Sequence, residues 1–323
     1  MAGERVGGAG RLELTVEVIF LLGPTASGKS RLAMEVARQT GAEICSVDAF
    51  QIYRGLDIGT AKPSAMAKKE IRHHLIDLAE PEQSFTAADY LRSAGAVLGD
   101  LRKRKQTAVW VGGTGLYHKV LTEGLAKAPG TDGKVAAELE ASTTEELAAE
   151  IRRVDPEWSE KADLQNRRRL VRALSVWRQT GRKISSWQRE ETPPGPLAGA
   201  ETFALVPDLD GLAAVIRTRV AGMIQDGWGE EVKRLRERPG WRGCPGGRAI
   251  GYREIEQWVT GKMRKEEVCD RIVAATRAYA KRQLTWLKRV PNLKFIEANL
   301  GQPLPATGVE KLVKALDRGI FAG

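Results

Sequence analysis

The chain has 323 residues and carries 51 Lys and Arg against 41 Asp and Glu, so its formal net charge is +10 at pH 7. This length allows one large α/β domain with an insertion, or two modest domains, each with its own hydrophobic core. Three cysteines without a C-x-x-C pair exclude a disulfide framework and a cysteine-based zinc site, and no apolar run approaches the ~18 residues of a membrane span. We therefore expect a cytoplasmic protein without membrane contact.

The first predicted elements are a strand, a glycine loop and a helix in succession. Residues 1–13 are Gly-rich and polar, and we predict a disordered extension there. Residues 16–22 are a β-rich apolar run, and residues 30–39 have apolar side chains at helical spacing. Between them, the sequence GPTASGKS at residues 23–30 matches the phosphate-loop pattern G-x-x-x-x-G-K-S/T.

The chemistry of this loop is the binding of phosphate groups. Gly23 and Gly28 permit a tight backbone whose N–H groups, together with the helix N-terminus, bind an anion. Lys29 adds a positive charge, and the Ser30 hydroxyl can ligate Mg²⁺. Most chains with such a loop hold ATP or GTP, but the loop itself contacts only phosphoryl oxygens and the metal. Other parts of the chain must therefore identify the substrate.

Two further predicted strands each deliver polar residues at their carboxyl ends. Residues 43–47 end at Asp48, and residues 107–111 end at a Gly-rich turn that contains Thr114. Ligands of open α/β sheets bind at this edge, which makes both residues site candidates. With a helix predicted at 89–101, the alternation of elements predicts an α/β fold like that of the P-loop NTPases, with a parallel sheet flanked by helices.

The composition changes after residue 124, where loops rich in Pro and Gly separate short helical segments. Helices are predicted at residues 135–140, 144–153 and 170–179. A strand at 203–206 and long helices after Leu212 follow. We therefore predict a mainly helical insertion at 126–199, and a catalytic α/β core formed by 14–125 and 200–323.

The positive charge is concentrated in two segments. Residues 161–190 hold nine Lys and Arg against two acidic residues, and residues 261–290 hold nine against three. Two basic segments in a chain with a phosphate loop favour a nucleic acid as partner. The alternative is that both are ordinary solvated helix faces, and the charge alone does not choose between the two.

Seven blocks along residues 16–290 identify a family more specifically than the phosphate loop does. They are GPTASGKS (23–30), SVDAFQIYRGLDIGTAKP (46–63), HHLID (73–77), VGGTGLY (111–117), RAL (172–174), IGYR (250–253) and TRAYAKRQLTW (276–286). In this order the blocks resemble the bacterial tRNA dimethylallyltransferases, also called tRNA isopentenyltransferases, of the IPP transferase family. The resemblance implies transfer of a dimethylallyl group from its diphosphate to N6 of the tRNA adenosine 3′-adjacent to the anticodon, position 37, with release of pyrophosphate.

Under this resemblance the phosphate loop binds a leaving group and not a nucleotide. The implied diphosphate-binding residues are Gly23, Thr25, Ala26, Ser27, Gly28, Lys29 and Ser30. Mg²⁺ is the implied cofactor, held partly by Ser30, because metal and N–H groups together stabilise the charge that develops on the departing pyrophosphate.

The resemblance also implies three catalytic residues. Asp48 would accept the N6 proton as the C–N bond forms; the alternative is an aspartate that holds Mg²⁺ for ATP. Thr114 resembles a threonine near the diphosphate, and otherwise serves a tight turn. Arg248 resembles an arginine that reaches back to the diphosphate, where a forked cation suits phosphate oxygens; its alternative is a surface arginine.

The implied macromolecular partner is the anticodon stem-loop of tRNA, bound by a monomer. The adenine must be extruded into the pocket, where Gln51 has an amide able to bond a neighbouring base. The implied tRNA-binding residues are Asp48, Ala49, Phe50, Gln51, Arg168, Arg169, Arg172, Arg248, Gly251, Tyr252, Arg253, Lys281 and Arg282. Two departures from the family pattern bear on the range of tRNAs: Ala49-Phe50 replace Ser-Met, and Asn166 replaces an acidic residue.

Three other functions remain open at this point. A small-molecule kinase would use ATP and a Mg²⁺-binding Asp48, but would have no use for the basic helices. A prenyltransferase acting on free adenine nucleotides would need only a small acceptor pocket. A noncatalytic RNA-binding protein would not need Lys29 and Asp48 together. His73 and His74 are expected to be structural, because no cluster of partners suggests metal ligation.

Overall fold

The computed structural model describes residues 17–207, 211–298 and 305–317, so the extension predicted at 1–13 lies outside the described residues. The chain forms two compact units. The first comprises the described residues up to Thr122 and from Leu197 onward, and the second is Glu123–Pro196. The insertion predicted at 126–199 falls largely on this second unit.

The first unit contains a sheet of six strands. They are β1 (Val18–Leu22), β2 (Glu43–Val47), β3 (His73–His74), β4 (Ala108–Gly112), β5 (Glu201–Pro207) and β6 (Lys294–Ala298). All pairings are parallel, and the spatial order is β3-β2-β4-β1-β5-β6. The predicted parallel α/β fold is therefore confirmed, with β1 between β4 and β5. The edge strands β3 and β6 were not predicted.

Fourteen helices lie in the described part of the chain, together with a 3-10 helix at Gly246–Arg248. They are α1 (Lys29–Thr40), α2 (Ala65–Glu70), α3 (Ala87–Arg104), α4 (Gly115–Thr122), α5 (Gly133–Glu140), α6 (Thr144–Val154), α7 (Pro156–Lys161), α8 (Arg167–Thr180), α9 (Ile184–Arg189), α10 (Leu212–Gln225), α11 (Trp228–Arg236), α12 (Tyr252–Val259), α13 (Lys265–Leu287) and α14 (Ala306–Asp317).

Both faces of the sheet are buried, which is why β1 and β4, near its centre, are apolar throughout. Successive side chains of a strand point to opposite faces. Phe20 and Leu22 of β1 belong to a core cluster with residues of α3 and α4, whereas Ile19 and Leu21 belong to one with residues of α1 and α14. The expectation of helices on both faces is therefore confirmed.

A third apolar cluster joins helices α10 to α13 to the segment that follows β2. Ile52 and Leu56 are fully buried in it, and Ala26 of the phosphate loop and Phe50 pack against it. This cluster therefore brings the C-terminal helices next to the loops at the ends of β1 and β2.

The second unit is built from α5 to α9 around its own core, which includes Leu147 and Leu174. Helix α6 begins with a capping box between Thr143 and Glu146. At the start of α8, the Asn166 side chain accepts a hydrogen bond from the Arg169 N–H. Asn166 therefore keeps the capping oxygen of the acidic residue that it replaces, without its charge.

Candidate active site

The phosphate loop has the geometry of an anion site at the junction of β1 and α1. Ala26 (φ 64°) and Gly28 (φ 89°) adopt left-handed conformations that turn the chain into the helix. A Cβ on Gly23 would lie 2.6 Å from the Leu205 carbonyl oxygen, so only glycine fits there. The first N–H groups of α1, beginning at Lys29, have no partner within the helix. The N-terminus of a helix with such N–H groups is a common site for binding an anion.

Two other N–H groups of the loop are used within the protein. The Thr25 N–H donates to Oε1 of Gln283 at 2.8 Å, and the Ser27 N–H donates to the Pro24 carbonyl at 3.3 Å. These two N–H groups are therefore engaged within the protein in this structure, and the binding of the diphosphate by Thr25 and Ser27 stays a prediction. The Lys29 ammonium lies 3.2 Å from the Pro24 carbonyl oxygen, folded back over the loop.

Asp48 and Thr114 are brought together by the pairing of β2 with β4. Val47 and Gly112 are register partners at the ends of these strands. The Ala49 N–H donates to the Thr114 hydroxyl at 3.0 Å. One carboxylate oxygen of Asp48, Oδ1, accepts from the N–H groups of Phe50 (2.8 Å) and Gln51 (3.2 Å). The carboxylate is therefore oriented by its own turn, and these bonds do not use Oδ2.

Three charged groups interact at this edge of the sheet. Burial and the positive charge of Arg219 lower the pKa of Lys29 to about 8, and the negative charge of Asp48 opposes the shift. Burial also lowers the pKa of Arg219, again opposed by Asp48. Arg219 lies on α10 and was not among the predicted residues. The available signal was an arginine on the side of a helix that carries the buried Leu212 and Ile216.

Helix α13 contributes two further residues that the motifs did not single out. The buried Gln283 donates from Nε2 to the Gly113 carbonyl at 3.0 Å, in addition to its bond to Thr25. Burial raises the pKa of Tyr279 to about 12, and its phenol hydrogen-bonds with Thr114 and Gln283. This helix therefore contacts the phosphate loop and the Thr114 turn.

Comparison with known proteins places this site in a family. A family model described as IPP transferase matches residues 51–290. The tRNA dimethylallyltransferase 1 of Citrifermentans bemidjiense is 39% identical over 285 residues, which are 88% of this chain and 93% of the relative. The chain belongs to the IPP transferase family.

Two further relatives agree with this membership. The tRNA dimethylallyltransferase of Halorhodospira halophila is 41% identical over 281 residues, 85% of this chain and 91% of the relative. The crystal structure of the full-length tRNA isopentenylpyrophosphate transferase from Bacillus halodurans superposes with a TM-score of 0.68 at 30% identity, covering 94% of this chain and 98% of that one. The resemblance seen in the sequence blocks is therefore confirmed.

In this IPP transferase, the residues after Asp48 are tied into the protein. Ala49 and Phe50 are half-buried and pack against different core clusters. The side-chain Oε1 of Gln51 accepts from the Ser46 hydroxyl at 2.8 Å, and its Nε2 donates to the main-chain carbonyls of Thr60 (3.2 Å) and Ala61 (3.1 Å). The free amide expected for a neighbouring base is therefore engaged, and Gln51 holds the segment that follows Asp48.

The IGYR block divides into exposed and buried residues. Arg248 and Arg253 are exposed, and the place of Arg248 at the diphosphate stays a prediction. Gly251 has a φ of 95°, and a Cβ there would lie 2.2 Å from the Trp228 ring. Tyr252 is fully buried and donates its hydroxyl to Glu231 at 2.7 Å. The predicted contact of Tyr252 with tRNA is therefore wrong for this structure, because its ring has no exposed surface.

The remaining basic residues differ in solvent exposure and in their hydrogen bonds to the rest of the protein. Lys281 and Arg282 are exposed on α13, and the Arg282 guanidinium lies 5.7 Å from the Tyr279 ring. In the second unit, Arg168 and Arg169 are exposed on α8. Arg172 is half-buried and donates to the carbonyls of residues 128 and 129, and burial lowers its pKa. Arg172 therefore holds a loop of its own unit, which leaves the other two for a partner.

The residues at the phosphate loop fit Mg²⁺ only as a metal shared with the substrate. Within residues 17–207, 211–298 and 305–317, no group of three or more His, Cys, Asp or Glu could hold a metal. Ser30 is exposed in the first turn of α1. Mg²⁺ commonly takes one or two protein oxygens, substrate phosphates and waters, so one hydroxyl beside a bound diphosphate suits it. His74 contacts Glu43 at 2.6 Å, in agreement with a structural role.

No helix in the described part of the chain is both long and apolar enough to cross a bilayer.

Proposed function

We propose that this protein transfers the dimethylallyl group from dimethylallyl diphosphate to N6 of adenosine 37, 3′-adjacent to the anticodon of tRNA. The products are N6-isopentenyladenosine and pyrophosphate. One observation carries the proposal beyond family membership: Asp48, at the end of β2 beside the phosphate loop, interacts electrostatically with two cations, Lys29 and Arg219. The reaction needs both charges, positive for the leaving group and negative for the acceptor proton.

In the first half of the reaction, the allylic C1–O bond breaks and its electron pair leaves with pyrophosphate. The N-terminal N–H groups of α1, Lys29 and Arg219 stabilise the negative charge that develops there. Removing one such preorganised contact typically costs ~10²–10³ in rate. The Thr114 hydroxyl accepts from Ala49 and bonds the Tyr279 phenol, and in the substrate complex its proton would donate to a diphosphate oxygen.

In the second half, the C1–N6 bond forms and the N6 proton must leave. The adenine N6 is a weak nucleophile because its lone pair is delocalised into the ring. Asp48 accepts this proton on Oδ2, since Oδ1 is engaged by Phe50 and Gln51. The proton then passes to solvent, and no oxidant or reductant is required.

Mg²⁺ is proposed as the cofactor, held by Ser30 and by oxygens of the diphosphate. When bound, it neutralises charge on the leaving group as a Lewis acid. Ser30, as the second residue of α1, keeps its hydroxyl beside the N–H groups that bind the same anion.

The macromolecular substrate is proposed to be the anticodon stem-loop of tRNA, bound by a monomer in the cytoplasm without membrane contact. Exposed cations would contact its phosphates, which position a nucleic acid without reading its sequence. These are Arg168, Arg169, Arg248, Arg253, Lys281 and Arg282. Asp48, Ala49 and Phe50 would line the pocket for the extruded adenine. Gln51, Gly251 and Tyr252 would stabilise the backbone around this pocket through their contacts inside the protein.

The test is incubation of the purified protein and Mg²⁺ with labelled dimethylallyl diphosphate and unmodified tRNA, with AMP and labelled ATP in parallel. We expect label in tRNA at adenosine 37. Label in AMP alone would select a nucleotide prenyltransferase. ATP consumption without prenylation would instead identify a kinase and overturn the proposal.

A further inference from the structure

The buried side-chain amide of Gln283 connects the phosphate loop to the turn that contains Thr114. Gln283 on α13 is 3% exposed. Its Oε1 accepts from the Thr25 N–H at 2.8 Å, and its Nε2 donates to the Gly113 carbonyl at 3.0 Å. Thr25 belongs to the phosphate loop, and Gly113 immediately precedes Thr114. The Gln283 amide therefore sets the spacing between the loop that binds the leaving group and the turn beside Asp48.

The site is built for an amide at this position. A Cβ on Gly113 would lie 2.1 Å from Nε2, so the close approach depends on a glycine. The bond to Gly113 is buried and the bond from Thr25 is partly buried. A buried polar group left without its hydrogen bond costs about 1–3 kcal/mol. Among uncharged side chains, only Gln and Asn present one carbonyl and one NH₂ group, and Asn is one methylene shorter.

We propose that Gln283 is a positioning residue for the prenyl transfer, and this inference rests on the function proposed above. It holds the phosphate loop against the Thr114 turn, so that C1 of the donor faces N6 of the acceptor while the leaving oxygen lies on the opposite side. Gln283 itself contacts neither substrate. Misplacement of reacting groups by about 1 Å can cost roughly 10²-fold in rate.

A positioning role for Gln283 predicts different effects of its loss on kcat and on the KM for tRNA. Loss of the amide misaligns two bound substrates, so kcat falls. The KM for tRNA depends on exposed cations, including Lys281 and Arg282 of the same helix, and stays near the wild-type value because the Gln283 amide bonds neither of them. A residue that merely supported the fold would lower the amount of active enzyme and the melting temperature, without a change in pH dependence.

The first variant is Gln283→Met, which keeps the length and apolar volume but removes both hydrogen bonds. Thr285→Ala on the same helix is the matched control, because Thr285 is exposed and its hydroxyl bonds only the Lys281 carbonyl. We expect kcat to fall by at least about tenfold in Gln283→Met with a KM for tRNA within about twofold. A wild-type kcat in the folded variant overturns the proposal.

The second variant, Gln283→Glu, can be rescued by protonation. A neutral carboxylic acid presents one acceptor and one donor, as the amide does, whereas the carboxylate has acceptors only and faces the Gly113 carbonyl. Burial raises the pKa of such a carboxyl group. The kcat of Gln283→Glu relative to wild type should therefore rise as the pH is lowered. The other charged or titratable groups of this site, namely Lys29, Asp48, Arg219 and Tyr279, are common to both enzymes, so their own effects cancel in the ratio.

The two variants together decide between the explanations. If Gln283→Met does not fold, the pH series on Gln283→Glu decides alone, and a ratio independent of pH overturns the positioning role. Absence of label transfer by the wild-type enzyme would contradict the proposed function itself. Wild-type transfer with an unimpaired Gln283→Met would contradict only the role of Gln283.

Discussion

Glu231 and Tyr252 form a buried pair in which the Tyr252 phenol donates to a Glu231 carboxylate oxygen at 2.7 Å. The same carboxylate accepts the N–H groups of Asp57 (2.9 Å), Ile58 (2.7 Å) and Gly59 (3.3 Å). Glu231 is 2% exposed, yet its charge is satisfied by four donors. The pair therefore fastens the segment after Asp48 to helices α11 and α12.

Removal of the Glu231 charge should destabilise the first unit. Glu231→Gln turns an NH₂ group towards backbone donors, and we expect a loss of roughly 2–4 kcal/mol in the free energy of unfolding. Tyr252→Phe removes one of the four bonds and should cost about 1 kcal/mol. Urea unfolding measures both. Equal stabilities of Glu231→Gln and the wild type would show that the carboxylate is not needed.

The affinity for the donor substrate should decrease at alkaline pH. The Lys29 pKa of about 8 means that its ammonium loses its proton above this pH in the free protein, and a diphosphate binds the charged form better. Binding of dimethylallyl diphosphate without tRNA should weaken roughly tenfold from pH 7 to pH 9 and be accompanied by proton uptake. Calorimetry in buffers of different ionisation enthalpy measures this. Lys29→Arg, which stays charged, is the control, and the same pH dependence in that variant would assign the effect elsewhere.

Arg219 and Arg248 should have different effects on the donor. Arg219 lies within the electrostatic reach of Lys29 and Asp48, whereas Arg248 is exposed on the 3-10 helix. Arg219→Ala should lower kcat/KM for dimethylallyl diphosphate by about 10²–10³, and Arg248→Ala should act mainly on the KM for tRNA. Steady-state kinetics with each substrate varied distinguishes the two. If Arg248→Ala instead lowers kcat/KM for dimethylallyl diphosphate and Arg219→Ala does not, Arg248 is the residue that contacts the diphosphate.

Asp48→Asn should abolish proton acceptance while its carbonyl oxygen can still accept the Phe50 and Gln51 N–H bonds. We expect kcat to fall by about 10²–10⁴, with tRNA affinity nearly unchanged. Single-turnover label transfer with tRNA in excess measures the chemical step. Undiminished transfer would exclude Asp48 as the base.

Arg168 and Arg169 should be separable from Arg172 on the same helix. Charge reversal of the exposed pair should weaken tRNA binding and reduce its dependence on salt concentration, because phosphate contacts release counterions. Arg172→Ala should instead destabilise the second unit through its lost bonds to residues 128 and 129. Binding titrations over a salt series and thermal unfolding test both. Unchanged salt dependence in the reversal variant would exclude these arginines as phosphate contacts.

Much of the sheet was predictable from sequence, because β1 and β4 are apolar runs, β2 is a short segment that ends at Asp48, and each precedes a recognisable turn. The edge strands were not. β3 has two histidines only, and Phe295 of β6 is 56% exposed, so neither presents the continuous apolar run of a buried strand.

The site was predictable wherever a motif supplies a local backbone shape, as in the phosphate loop. Contacts between distant segments were not, because spacing does not indicate which side chains turn inward. Arg219 meets Lys29 and Asp48 only through the packing of α10. The motif blocks of Gln51 and Tyr252 also contain exposed residues, such as Arg54 and Arg253. The Gln51 and Tyr252 side chains nevertheless form hydrogen bonds inside the protein, to Ser46 and Glu231.

Because β1 lies between β4 and β5, the sheet cannot be completed early during synthesis on the ribosome. β5 follows the whole second unit in the chain, so the central strand lacks one neighbour until synthesis passes residue 207. Arg219 and Gln283 emerge later still. The second unit, with local helix contacts, can form early, whereas the catalytic centre depends on contacts of high sequence separation that form slowly. A nascent chain therefore carries a phosphate loop long before Gln283 can bond it and before Arg219 can act on Lys29.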